Sequence, residues 1–182
     1  MSSGVAVRTL ERLDERAIRG LAAVLVDCVA GGASVSFMHP LAESKAQSFW
    51  MEVARGVERG ERALIVAEDE SGEIAGTVQL ILAQPENQPH RADLAKMLVH
   101  RRARRRGLGQ ALLAAAESLA LARGKSLLVL DTVSGGDAAR MYARAGWQRC
   151  GEIPGYALMP DGRPCPTTVY FKTLAPRVGA SA

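Results

Sequence analysis

Aromatic residues make up only 4% of this 182-residue chain. A core must therefore be built from Leu, Val, Ile and Ala, and stacking platforms for nucleic-acid bases are scarce. Cysteine is equally sparse. Cys28, Cys150 and Cys165 are odd in number and far apart, with no Cys-x-x-Cys or His-x-x-x-His spacing, which indicates neither a disulfide framework nor a zinc site. No charge-free apolar run reaches 18 residues, and the N-terminal MSSGVAVRTLERLDER lacks the apolar stretch of a signal peptide. The expectation is a cytoplasmic protein with no membrane segment and no metal.

Spread-out positive charge is also lacking. The formal charge is +4, from 23 Lys+Arg against 19 Asp+Glu, but five arginines fall in the six residues 101–106. Removing those five charges from +4 leaves −1 for the remainder. A nucleic-acid or membrane binder distributes basic residues over a face or several segments. One basic patch on a balanced chain disfavours that class.

What is present reads as one domain, residues 1–175, with a flexible tail at 176–182. Val5–Leu10 reads as a strand. Asp14 can cap a helix whose stripe is Ile18, Leu21, Ala22, Leu25, Cys28 and Val29, stopped at Gly31-Gly32. A second helix from about Leu41 carries Ala46, Phe49, Trp50, Val53 and Val57. Two runs of β-formers, 63–68 and 74–83, flank the turn Asp69-Glu70-Ser71-Gly72 as an antiparallel hairpin. Next come a candidate central strand, 93–99, the arginines, a helix over about 107–123, and the apolar strand 126–132. A short helix, 137–145, late strands at 147–151 and 167–174, and a Pro- and Gly-rich loop at 154–166 complete the chain. The order implies a mixed α/β domain with a parallel strand pair around residues 93–132, flanked by helices.

The chemistry concentrates where that central strand meets its helix, in Arg104-Arg105-Arg106-Gly107-Leu108-Gly109-Gln110. The first N–H groups of a helix lack intrahelical partners and sit at the positive end of its dipole. Glycines at 107 and 109 remove Cβ atoms that would hold an anion away, and arginines add fork-shaped donors. A dinucleotide fingerprint fails because position 112 is Leu. A Walker loop ending at Gly124-Lys125-Ser126 fails because position 119 is Leu and a helix precedes it.

Arg-x-x-Gly-x-Gly at 104–109, after the strand residues Lys96-Met97-Leu98-Val99, resembles the acetyl-coenzyme A loop of the GNAT (GCN5-related) N-acetyltransferases. Ala138-Ala139-Arg140-Met141-Tyr142-Ala143-Arg144-Ala145-Gly146-Trp147 is similar to that family's tyrosine-bearing helix, which ends in Gly-aromatic. Gly135 stands where many members have an Asn contacting the pantetheine arm. A narrower resemblance, carried by Gly31-Gly32-Ala33-Ser34-Val35, Phe37-Met38, Asp131-Thr132, Pro154-Gly155-Tyr156, Pro160-Asp161-Gly162-Arg163 and Tyr170-Phe171-Lys172-Thr173-Leu174, is to the tabtoxin-resistance acetyltransferases. Those are GNAT enzymes acting on an amino group of a β-lactam-containing plant toxin.

The resemblance implies a mixed, mostly antiparallel sheet whose parallel pair splays around acetyl-CoA, and direct acetyl transfer to an amine in a ternary complex. It implies that the backbone of Met97, Leu98 and Val99 holds the acetyl and pantetheine portions. Arg104, Arg105, Arg106, Gly107, Leu108, Gly109 and Gln110 would hold the pyrophosphate. It makes Tyr142 the acid for the departing thiolate, and Asp93 and Asp131 candidates either for amine deprotonation or for binding the substrate ammonium. Cys150 and Cys165 have no adjacent base motif, against an acetyl-cysteine route. Segment 31–39 and loop 154–166 are candidate acceptor walls, with Ser34, Phe37 and Tyr156 as substrate contacts. The partner is a small amine acceptor, and the protein a monomer or homodimer. Two rival readings remain: a GNAT enzyme acting on a protein or peptide amine, and a phosphate- or nucleic-acid-binding module built on the arginines.

Overall fold

The computed structural model describes residues 6–175; the expected tail at 176–182 and Val5 lie outside the described residues. Seven strands form one mixed sheet in the order β1-β2-β3-β4-β5-β7-β6. β1 is Ala6–Leu10, β2 Arg62–Glu68, β3 Ile74–Ile81, β4 Arg91–Val99, β5 Leu127–Val133, β6 Gln148–Leu158 and β7 Pro164–Thr173. Helices α1 (Glu15–Ala30) and α2 (Glu43–Glu58) precede β2, α3 (Leu108–Ala122) links β4 to β5, and α4 (Asp137–Arg144) links β5 to β6. Only β4 and β5 are parallel; every other neighbouring pair is antiparallel.

Strand alternation divides the core between the two faces of the sheet. Leu64 and Val66 of β2 pack with Leu21, Leu25 and Trp50 of α1 and α2. Ala63, Ile65 and Ala67 turn the other way, toward Leu112, Leu113 and Ala116 of α3. β2 and β3 are therefore covered on both sides, which accounts for their nearly unbroken apolar sequences. Asp14 caps α1 as its position suggests, accepting from the Ala17 N–H at 2.8 Å.

β4 breaks the alternation. Thr77 pairs with Leu98 and Gln79 with Ala95, so Lys96 and Met97 together oppose Val78. This extra residue is a β-bulge, and Lys96 takes the left-handed conformation in it, φ 50°. Ala92 and Leu94 accordingly face α3, whereas Leu98, past the bulge, faces α1 and α2.

The late strands differ from expectation. Residues 154–166 are the distal half of a β6–β7 hairpin rather than a loop, with Ala157 paired to Cys165 and Leu158 to Pro164. Pro154 and Gly155 are tolerated because β6 is the sheet's edge strand and its register shifts between Ile153 and Ala157.

Candidate active site

The arginine run is divided between structure and surface. The Arg101 N–H and Nε donate to the Asp27 carboxylate at 2.8 and 2.9 Å, and Arg102 pairs with Asp69. Burial alone would raise the Asp27 carboxyl, but the Arg101 hydrogen bonds outweigh it and hold it below the usual carboxylate range. Asp69 is held far lower by the Ser71 hydroxyl and Arg102. His100 is a structural residue: its Nδ1 accepts from the Arg102 N–H at 3.2 Å in the 3-10 turn Arg101–Ala103. Arg104 turns back, its Nε donating to the Val99 carbonyl at 3.1 Å. Arg105 and Arg106 are exposed and make no ion pair or hydrogen bond among the described residues.

Gly107 begins α3 in the left-handed region, φ 80°, with no side chain capping the helix. The first intrahelical bond from this end is Ala111 N–H to the Gly107 carbonyl, 3.0 Å. The N–H groups of Leu108, Gly109 and Gln110 are therefore the open donors at the positive end of the helix, beside two unpaired guanidinium groups. Gly109 has a second role that its spacing did not suggest. A Cβ there would lie 2.9 Å from the Met141 sulfur, so its lack of a side chain lets α4 close against α3.

β4 and β5 pair through just three residue pairs, Arg91–Leu127, Ala92–Leu128 and Asp93–Val129. Beyond them β4 keeps to β3 and β5 to β7, and the central sheet opens. Leu128 and Leu130 face the α3 side, so Asp131, by alternation, lies on the α1–α2 face of β5, at the lip of the opening. Its carboxylate is exposed and makes no hydrogen bond or ion pair among the described residues. Tyr142 comes from α4 on the other side. It is buried between Trp147 and Tyr170, ring centroids 5.7 and 6.2 Å away. Burial first, and the Asp131 charge second, push the Tyr142 phenol well above its ordinary value.

Asp93 is differently placed. Its carboxylate accepts from Arg91 Nη1 at 2.9 Å and Gln84 Nε2 at 3.3 Å, within the paired part of the strands. Of the two expected carboxylates, Asp131 is the one left free. Of the three β4 backbone residues, Val99 already has its carbonyl engaged by Arg104 and by the Cys28 sulfur at 3.5 Å. Met97 lies within the bulge and Leu98 just beyond it, along the stretch of β4 that has no β5 partner.

The expected acceptor walls do meet. Ser34 Oγ donates to the Leu158 carbonyl at 2.8 Å and the His39 N–H to that of Pro160 at 3.0 Å, tying segment 31–39 to the β6–β7 hairpin. Phe37 packs edge-on to Phe49, 5.3 Å between centroids. Tyr156 lies on the hairpin, 55% exposed. The residue that the motifs missed is Lys96. A lysine between the apolar residues Leu94, Ala95, Met97 and Leu98 of a strand was the available signal; its Nζ donates to Ser36 Oγ at 3.0 Å and lies 5.7 Å from the Phe49 ring centroid.

The acetyltransferase (GNAT) family profile matches residues 32–147, more than half of the chain, including the splayed strands, the glycine-led helix and α4. The chain belongs to the GNAT acetyltransferase family. The GNAT fold recurs in solved structures of low identity. An N-acetyltransferase from Staphylococcus aureus Mu50 superposes with a TM-score of 0.77 at 17% identity, over 95% of this chain and 100% of that one. A candidate acetyltransferase from Salmonella typhimurium, solved with its cofactor acetyl-CoA, gives 0.76 at 18% over 99% of both chains. A ribosomal-protein-alanine N-acetyltransferase from Brucella melitensis gives 0.75 at 24%, over 93% and 99%. Among the described residues of this GNAT chain, no helix is long and apolar enough to cross a membrane.

Proposed function

We propose that the protein transfers acetyl from acetyl-CoA to the amino group of a small molecule, by direct attack in a ternary complex. The observation that carries this reading is the conjunction, in a GNAT chain, of an uncapped α3 N-terminus flanked by unpaired Arg105 and Arg106 with a three-residue β4–β5 seam that opens beside Tyr142 and Asp131.

In this reading the open N–H groups of Leu108, Gly109 and Gln110, with the Arg105 and Arg106 guanidinium groups, take the pyrophosphate. Arg104 orders the loop through Val99. The β4 backbone around Met97 and Leu98, which has no β5 partner, lines the thioester and provides an N–H donor for the oxyanion. The amine arrives as an ammonium, and Asp131 either accepts its proton, directly or through water, or holds it while water does so. The neutral nitrogen attacks the thioester carbonyl. A C–N bond forms, the C–S bond breaks, and the thiolate leaves with its electron pair and takes the Tyr142 proton. A phenol held above its ordinary value is fully protonated at neutral pH, and the same dry surroundings raise the basicity of a thiolate, so donor and acceptor are displaced in one direction. Asp93, engaged by Arg91, orders the closed end of the seam.

The toxin-resistance reading, with a tabtoxin-type β-lactam amino compound as acceptor, rests on the sequence resemblance of segment 31–38 and of residues 154–163 on the β6–β7 hairpin. Isothermal titration with acetyl-CoA, followed by thiol-release assays over amine acceptors that include the toxin, tests both levels. Absence of acetyl-CoA binding overturns the enzyme reading; turnover of peptide amines alone overturns the small-molecule acceptor. Salt-sensitive oligonucleotide binding in its place would favour the nucleic-acid module.

A further inference from the structure

Among the described residues, Ser36 and Lys96 both carry side chains on strained left-handed backbone and touch each other. Ser36 has φ 76° and Lys96 φ 50°; they lie 60 residues apart in sequence and are joined side chain to side chain at 3.0 Å. A side chain on that conformation is strained, and such strain persists where the surroundings over-determine it, often at ligand clamps. At the bulge a glycine would serve the backbone better. What Lys96 adds over glycine is a cation.

That cation lacks a counter-ion. The Lys96 ammonium has Ser36 Oγ and the Phe49 ring as its neighbours, and no carboxylate lies within ion-pair distance among the described residues. Burial lowers it from its ordinary value; Asp131 on β5 counteracts this and Arg62 on β2 adds to it. Continuing the Asp93–Val129 register would set Ala95 against Asp131. Lys96 and Asp131 therefore stand on the two lips of the opening, on the same α1–α2 face. The two are opposite in charge, each without an ion-pair partner, and too far apart to pair with each other. The complement of such a gap is a molecule carrying both charges in reverse.

We infer that Lys96, with the Ser36 hydroxyl, forms an oxyanion-binding subsite of the acceptor pocket, so that the acceptor carries a carboxylate on the same small molecule as the amino group received at Asp131. The inference rests on the acetyltransfer reading and deepens it. Lys96 supplies charge and two further N–H donors, Ser36 steadies the ammonium, and the Phe49 ring lies against it, 5.7 Å from centroid to Nζ. A bare amine satisfies Asp131 only and leaves the half-buried Lys96 ammonium without a counter-ion. Discrimination against it then follows from an unmet charge as much as from a lost contact.

The test uses matched acceptor pairs: free amino acids, their carboxamides and the corresponding decarboxylated amines, assayed with saturating acetyl-CoA on the full chain. The wild-type protein should prefer the carboxylate member by at least about tenfold in kcat/KM, one charge-assisted bond's worth, expressed mainly in KM. In Lys96→Asn, which keeps a residue tolerant of left-handed backbone, and in Lys96→Met, that ratio should fall to within about threefold of one. Ser36→Gly should reduce it partially. A merely structural lysine would depress both members of each pair together, and an unchanged ratio in Lys96→Asn and Lys96→Met overturns the inference. So does a wild-type protein that binds acetyl-CoA yet acetylates only carboxylate-free amines, or none of the set. Failure to bind acetyl-CoA at all overturns the acetyltransfer reading instead.

Discussion

The sulfur of Met141 occupies the space that a side chain on Gly109 would need: a Cβ built there lies 2.9 Å from it. The first turn of α3 and the middle of α4 are thus packed backbone against thioether, and α4 is the helix that carries Tyr142.

Gly109→Ala should cost less than about 1 kcal/mol, because the one close atom belongs to a flexible thioether that can swing aside and alanine favours the helix, whereas the bulkier Gly109→Val should lower stability by about 1–3 kcal/mol through overpacking. Met141→Ala should partly rescue Gly109→Val, leaving a coupling of at least about 0.5 kcal/mol in a double-mutant cycle of urea unfolding. Strict additivity would mean that the two residues do not meet in solution.

The unequal use of the arginines predicts a separation of effects. Arg101→Ala removes the Nε hydrogen bond and the charge from the Asp27 carboxylate, whose side chain is only 12% exposed, and keeps the backbone N–H bond. It should lower stability by about 1–2 kcal/mol with little change in acetyl-CoA affinity. Arg105→Ala combined with Arg106→Ala should leave the unfolding midpoint nearly unchanged. The combined variant should weaken acetyl-CoA binding by about 10–100-fold, and flatten the dependence of that affinity on salt. Calorimetry at two ionic strengths and thermal unfolding read both halves; the reverse pattern would refute the division.

Tyr142→Phe keeps the buried ring between Trp147 and Tyr170 and removes the proton. With chemistry rate-limiting, kcat should fall by about 100-fold or more while acetyl-CoA affinity stays the same. Full turnover in this variant would remove Tyr142 from the reaction.

The same phenol sets a pH dependence of stability. Its folded value is raised by burial, with Asp131 adding to it, so above the ordinary tyrosine value of about 10 the unfolded chain loses a proton that the folded chain retains. Its contribution is complete below pH 10 and declines as pH rises toward the folded value, by up to about 1.4 kcal/mol per unit. Between pH 9 and 11 the wild-type protein should therefore lose about 1 kcal/mol more than Tyr142→Phe in urea unfolding. Equal losses would show the hydroxyl to be solvated.

Asp131→Asn should reduce turnover by about 100-fold and move the acidic limb of the kcat/KM profile, whereas Asp93→Asn, which disturbs Arg91 and Gln84, should act mainly on stability. A pH profile unaltered in Asp131→Asn would leave the amine to lose its proton elsewhere.

The order of elements along the chain, the β2–β3 hairpin and the place of the glycine-led helix were legible because each depends on local pattern: unbroken apolar runs for strands covered on both faces, and glycines beside arginines at a helix start. The placement of Lys96 was not, because it comes from a one-residue bulge that no periodicity announces, and the bulge turns its side chain to a hydroxyl 60 positions away. The β6–β7 arm was misjudged as a loop for a related reason. Proline and glycine weaken a strand in general, but an edge strand with a register shift accommodates both. Asp93 and Asp131 are equal in sequence, and only the neighbouring Arg91 and Gln84 side chains distinguish them.

The three-pair seam between β4 and β5 has a mechanical meaning. Seven strands share one sheet, yet its two halves are stitched in the backbone by only three residue pairs, and past Asp93 each half presents an edge to the opening between them. Exposed edges on a surface invite another chain; an edge facing inward invites only what fits the slot. A linear amide-bearing arm lying there would act as a temporary eighth strand, and the sheet would be continuous, and stiffest, only while it is occupied.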